Sequence, residues 1–416
     1  MNPIMTTHTS PLEPSTPQFA SASIAAAATQ RALWRDLAPI CAIVFLEFLA
    51  MGLPLAVLPV HVEGTLGFGS FVVGIAIGSQ SWATLLTRHA AGKRADQRGP
   101  RAATLLGLML SVLAGATYAL SHAISAPSVS LMVLMVGRAL LGAGESLVVT
   151  AALSWGVALA GRERSGLVMS WVGVAMYGAL AFGAPLGSTL AGRFGFVAMC
   201  VAAALSPVLG LVAIRSARNV EPVGGVRLPF YRVVRLIALP GSGLMLSALS
   251  FGAIAAFSTL RFAERSWPHA ALAMSAFGAA YVLSRLLFGS LPDRFGGARI
   301  AIVSAALAAL GQLGMWLATS GTIAVAAAAL TGFGFSLAFP SFGVEAIRRV
   351  PPQNRGVALG AYAACFDLSL GLGVPLLGTV VALRGYAAAF EAGCVAALLA
   401  LVIGIALSSN AKGSSA

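Results

Sequence analysis

Glu47, Arg138, Glu145 and Asp367 each stand inside a long apolar run of this 416-residue chain. A charged side chain at such a place is costly unless it is paired, and by default it is a functional candidate. The chemistry these types offer together is proton exchange. Desolvation raises a carboxyl pKa and a neighbouring Arg lowers it, so an acid whose Arg partner comes and goes can load and release a proton near neutral pH. Glu47 lies about ten residues into its run, close to the middle of a bilayer at roughly 1.5 Å per residue, and Asp367 lies similarly deep. Arg138 and Glu145 are two turns apart on one helix face. Glu47 ranks first as proton carrier, then Glu145, then Asp367. The competing reading for each is a fixed buried ion pair or a helix-to-helix hydrogen bond.

A second pattern is polar and duplicated. Gly92, Asp96 and Gly99 recur as Gly289, Asp293 and Gly296, with Arg88 and Arg285 each four residues upstream; the offset is 289 − 92 = 197. Arg294 follows the second Asp directly, whereas Gln97 follows the first. Gly lets two backbones approach closely in a tight turn, and an Asp can sit at a helix N-terminus or accept from an Arg. On this reading Arg88 and Arg285 lie at the mouth of their spans, snorkelling or touching the loop Asp. The duplication continues at a second offset. Leu141-Gly-Ala-Gly-Glu-Ser-Leu147 aligns with Thr331-Gly-Phe-Gly-Phe-Ser-Leu337, offset 332 − 142 = 190, and Gly183-Ala-Pro-Leu-Gly187 aligns with Gly373-Val-Pro-Leu-Leu377 at the same offset.

These residues must be positioned by membrane helices. The chain is 58% hydrophobic and 9% charged, with a mean hydropathy of +0.89. Soluble domains carry about 25% charged residues. The net charge of +13 falls in short clusters between apolar runs, so nucleic acid is excluded as a partner and the bilayer is expected. Twelve runs reach the roughly 20 residues a spanning helix needs: 37–60, 71–91, 102–121, 131–155, 167–190, 196–214, 241–260, 270–290, 300–319, 322–344, 356–380 and 386–408. They are numbered spans 1 to 12 below. The sequence thus predicts an all-α membrane protein of two six-helix bundles, 37–214 and 241–408. A tail over 1–36 without regular structure, a linker over 215–240 and a short tail over 409–416 flank them. Arg227–Ile237 reads as an amphipathic strip lying on the membrane surface.

With an inside N-terminus, 21 of the 26 Lys and Arg fall on cytoplasmic segments, so both termini are expected on the cytoplasmic side of the cell (inner) membrane. Cys41, Cys200, Cys365 and Cys394 lie in apolar segments with no CxxC spacing, and no metal site is expected. No Walker A sequence and no His-Glu-x-x-His motif is present, which argues against an ATP-driven pump and a metalloprotease.

The duplicated loop resembles the signature of the major facilitator superfamily, and Arg138-Ala-Leu-Leu-Gly-Ala-Gly144 resembles that family's span-4 motif, in which the Arg is associated with proton transfer. Gly178, Gly183, Pro185 and Gly187 of span 5 resemble the antiporter motif in part, since Ala184 and Ser188 replace glycines. The resemblance covers the chain after about residue 36 and is closest to bacterial drug-efflux and sugar-efflux (arabinose-efflux-like) members. It implies a monomeric secondary transporter, not an enzyme, driven by a proton gradient without cofactor. Such a protein moves a small solute by alternating access between two similar halves. Export by proton exchange is the first expectation, uptake by proton symport the alternative, and a receptor or scaffold the reading from another class.

Overall fold

The computed structural model describes residues 18–161, 164–220, 230–350 and 355–413. Twelve helices within it are long and apolar enough to cross a membrane. In order they are Leu33–Thr65, Ser70–Arg98, Pro100–His122, Pro127–Ala160, Gly166–Phe194, Phe196–Ser216, Arg235–Glu264, Ala271–Phe288, Gly297–Leu317, Gly321–Arg348, Gly360–Arg384 and Ala387–Ser409. Each contains or overlaps the expected run of the same number. Most extend past it, because helical hydrogen bonding continues into the polar residues where the apolar core stops.

Two expectations change. The first helix begins at Gln18, so the latter part of the expected irregular tail is helical; residues 1–17 lie outside the described residues. The strip over Arg227–Ile237 is no separate surface element, since one helix runs from Phe230 to Glu264 with Pro240 inside it. Residues 221–229 lie outside the described part.

An even number of spans puts the termini and the middle linker on one face, here the terminal face, and the other ends on the distal face. Span 7 is the most enclosed. The spans close on one another through small residues, as membrane helices do where burial of apolar surface gives no net drive.

The duplication read from the sequence is also a duplication in space. A Cβ on Gly142 of span 4 would strike the carbonyl oxygen of Gln80 in span 2, and one on Gly332 of span 10 would strike that of Phe277 in span 8. Likewise a Cβ on Gly144 would stand 2.8 Å from Gly107 O, and one on Gly334 2.8 Å from Ser304 O. The offsets are those of the sequence: 190 on one partner, and 277 − 80 = 304 − 107 = 197 on the other. The turns after spans 2 and 8 share one device, Gly99 at φ 84° and Gly296 at φ 90°, a region open to glycine at no steric cost.

Described contacts between the halves begin at the distal end and run to the middle. Tyr386 Oη donates to Glu63, and Ser70 Oγ donates to the Gly378 carbonyl. Gly74 and Gly78 of span 2 lie against the backbone of residues 370–375 in span 11. In spans 5 and 8, Ala181 and Tyr177 abut Gly278.

Candidate functional site

Span 2 lays Gln80, Thr84 and Arg88 along one face at helical spacing of four. Gln80 Nε2 donates to Glu145 Oε2 at 2.7 Å, and Thr84 Oγ1 donates to the same oxygen at 3.3 Å. Arg88 then reaches out of its own half. Its Nε and Nη2 lie 2.8 and 2.6 Å from Asp367 Oδ2 in span 11. Arg88 is therefore not the loop residue expected. Its long side chain runs back toward the bundle centre, where it compensates the buried Asp367 carboxylate, a charge that is costly to leave unpaired.

Glu47 is buried in span 1 and accepts from Ser111 Oγ of span 3, while its Oε2 has no hydrogen-bond partner among the described residues. Gly144 makes the room, since a Cβ there would stand 3.3 Å from Glu47 Oε1. Arg138 is buried too, but it does not pair with Glu47. Its Nε donates to Ala76 O at 3.2 Å and its Nη2 to Ile77 O at 2.9 Å, fastening span 4 to the backbone of span 2. Among the described residues Arg138 Nη1 has no hydrogen-bond partner, though Tyr118 interacts with the guanidinium electrostatically. Arg285 likewise stays buried in its own half, with Nη1 donating to Ser336 O at 3.2 Å, and neither snorkels nor meets Asp293.

The gate loops divide. Gly92 and Asp96 lie within the helix of span 2, which runs on to Arg98, so Asp96 is near a helix C-terminus rather than an N-terminus; the Gly99-Pro100 step is what breaks the chain. In the second loop the break comes earlier. Gly289 caps span 8, and Asp293 and Arg294 sit on a short helix, Leu291–Phe295, with Asp293 in its first turn. Glu345 of span 10 accepts from Ala298 N at 3.0 Å, placing a carboxylate at the N-terminus of span 9. In span 5, Gly183 packs on Gly52 and Gly187 on Leu53 of span 1, and a Cβ on Gly178 would stand 3.8 Å from Val282 of span 8. Pro185 is inside the helix.

A small cavity lies between the halves. Met51, Ile77, Gln80 and Arg138 line it from one side and Phe251, Gly252, Leu370 and Val374 from the other. Around it the two halves present unlike walls. Applying the offsets of 197 and 190, Gln80, Thr84 and Glu145 correspond to Phe277, Tyr281 and Phe335. Those three rings pack with Phe251 and Phe366 into one cluster, and Tyr177 of the first half stacks on Tyr281 at 3.7 Å. The sequence shows these aromatic residues but not that they gather, although the repeat register was the available signal.

A family model described as Major Facilitator Superfamily matches residues 40–263 and 240–414. The chain belongs to this family. This transporter is 44% identical over 364 residues to an uncharacterized MFS-type transporter of Pseudomonas aeruginosa, covering 87% of this chain and 90% of that one. It is 41% identical over 378 residues to an uncharacterized MFS-type transporter of Salmonella typhimurium, covering 91% and 97%. Among solved structures, the nucleoside transporter NupG is similar at a TM-score of 0.72 and 16% identity, over 89% of this chain and 99% of that one. A D-xylose–proton symporter is similar at 0.70 and 15%, over 88% and 97%. The protein is thus a multi-pass secondary transporter and no enzyme, and its fold is that of the family.

Proposed function

We propose that this transporter is a proton-coupled exporter of a small amphipathic solute across the bacterial inner membrane. The observation that carries the coupling is Glu47, a carboxyl in the middle of span 1 that has, among the described residues, one neutral donor, one unpartnered oxygen and no cation bonded to it. A charge held that way is expensive in a bilayer, and a proton removes the expense. Protonation of Glu47 favours the arrangement that buries it. Release favours the one that wets it, and the halves rock between the two. The unlike walls support the solute class. The ring cluster suits an apolar or planar face, and the Gln80–Thr84–Glu145 strip suits a polar or weakly charged end. Export as the direction rests on the partial span-5 motif.

The test uses purified protein in liposomes under an imposed pH gradient with a panel of solutes. Exchange predicts solute movement opposite to protons, and co-directional movement would make the protein a symporter. Glu47→Gln should abolish accumulation driven by the gradient and spare solute-for-solute exchange. Gradient-driven transport at the wild-type level in that variant removes Glu47 from the proton path.

A further inference from the structure

We propose that Arg88 is a counter-ion shared by two acids. Asp367 holds it in the conformation described, and Glu145 of its own half takes it over when the halves part along spans 2 and 11. The proposal is independent of proton carriage by Glu47, because it requires only that two carboxylates compete for one cation.

Placement is the first argument. Gln80 and Thr84 hold Glu145 from the face of span 2 that carries Arg88, and Arg88 reaches Asp367 from that same face. Glu145 and Asp367 therefore flank one strip, and each interacts electrostatically with Arg88. Glu47 of span 1 and Tyr177 of span 5 are also in electrostatic reach of Glu145.

Charge is the second. Of Arg88, Arg138 and Arg285, Arg138 donates to the Ala76 and Ile77 carbonyls and Arg285 to the Ser336 carbonyl. Arg88 is the one among them that bonds a carboxylate. It does so through two nitrogens on a single oxygen, Oδ2, rather than in a fork on both oxygens, and its side chain keeps 19% of its surface exposed. Such a pairing can be left.

The internal repeat is the third. Arg285 is the counterpart of Arg88, and it lies inside its own half on the Ser336 carbonyl. The counterpart of Ser336 is Ser146, since 336 − 190 = 146, and Ser146 is next in the chain to Glu145. The second half thus already displays the pose that Arg88 would adopt in the first. That pose would bring its guanidinium beside Glu145. Arg88 acts on transport through these two acids and need not touch solute, which makes it a positioning residue.

The readout is the distance between spin labels at Val129 and Leu383, exposed positions at the distal ends of spans 4 and 11, in a cysteine-free background. Asp367→Asn should move the population toward separated distal ends, and Glu145→Gln should move it the opposite way. Each shift should be roughly three- to tenfold in the population ratio. Both shifts should vanish in an Arg88→Gln background. The charge swap Arg88→Glu with Asp367→Arg should restore the closed distal population without restoring transport, because Glu145 then faces a like charge. Asp367→Asn and Glu145→Gln are near-isosteric, and size-exclusion profiles confirm that these and the larger Arg88 and Asp367 replacements are folded. No shift with Glu145→Gln, or a shift that survives in Arg88→Gln, overturns the proposal. Neither result bears on Glu47, whose own test is gradient-driven accumulation.

Discussion

Gly74→Val should lower transport by roughly 5- to 150-fold while leaving the protein folded in the membrane. A Cβ at Gly74 would stand 2.8 Å from Val374 O and 2.9 Å from Pro375 Cα, and one at Gly78 3.0 Å from Leu370 O. These are backbone atoms of span 11, which cannot swing aside as a side-chain tip can. The local backbone is already distinctive, since Ser369–Gly373 forms a π-helical turn and Pro375 opens the segment after it. The collision is between halves, so each bundle keeps its own packing and only the distal-closed arrangement is penalised. Over-packing costs about 1–3 kcal/mol, and a bias of that size changes a two-state population by roughly 5- to 150-fold. Gly74→Ala should show the same effect more weakly. Distal-face cysteine labelling should become faster in step with the loss of transport. Wild-type transport by Gly74→Val, or loss of folded protein in its place, would show that spans 2 and 11 do not form the distal closure.

What the sequence revealed and what it hid follow a physical division. Local hydropathy names the spans because a bilayer demands a long apolar run from each, whatever its neighbours. The repeat is visible because Gly142 and Gly332 answer the same packing need against Gln80 and Phe277. The depth of Glu47, Glu145 and Asp367 is also readable, being distance along a helix. Their partners are not. Asp367 stands 279 residues from Arg88, and nothing in the spacing of either records that spans 2 and 11 touch. Arg138 gives two of its nitrogens to backbone carbonyls, which every residue carries and no sequence motif marks. Ser111, the partner of Glu47, is one small hydroxyl among many in these spans. The start of span 7 is hidden for another reason. An amphipathic strip and the first turns of a spanning helix share one periodicity, and only the continuous helix from Phe230 separates them.

Gly187→Val should abolish the folded protein, whereas Gly178→Val should not, although both alter the same motif. At Gly187 a Cβ would drive into the Leu53 carbonyl, and one turn earlier a Cβ on Gly183 would stand 2.9 Å from the backbone of Gly52. Spans 1 and 5 therefore touch backbone to backbone inside one half. Ser, Thr or Ala would already force them apart, and Val adds two methyl groups. The neighbours cannot yield, because Leu53 and Leu180 are themselves fully packed, and separating the helices forfeits the dispersion contacts that hold them where lipid offers no hydrophobic drive. The cost therefore exceeds the roughly 1–3 kcal/mol of ordinary over-packing. Gly178 differs because a Cβ there would meet first the Val282 side chain, at 3.8 Å across the gap to span 8. A larger residue there meets a movable methyl belonging to the other half, so it acts on the equilibrium between conformations. Expression and monodispersity in detergent should thus fail for Gly187→Val and persist for Gly178→Val, with the second variant altered in transport rate alone. Equal behaviour of the two would mean that this glycine row serves one purpose along its length, against the division between in-half and between-half contacts that the helix crossing shows.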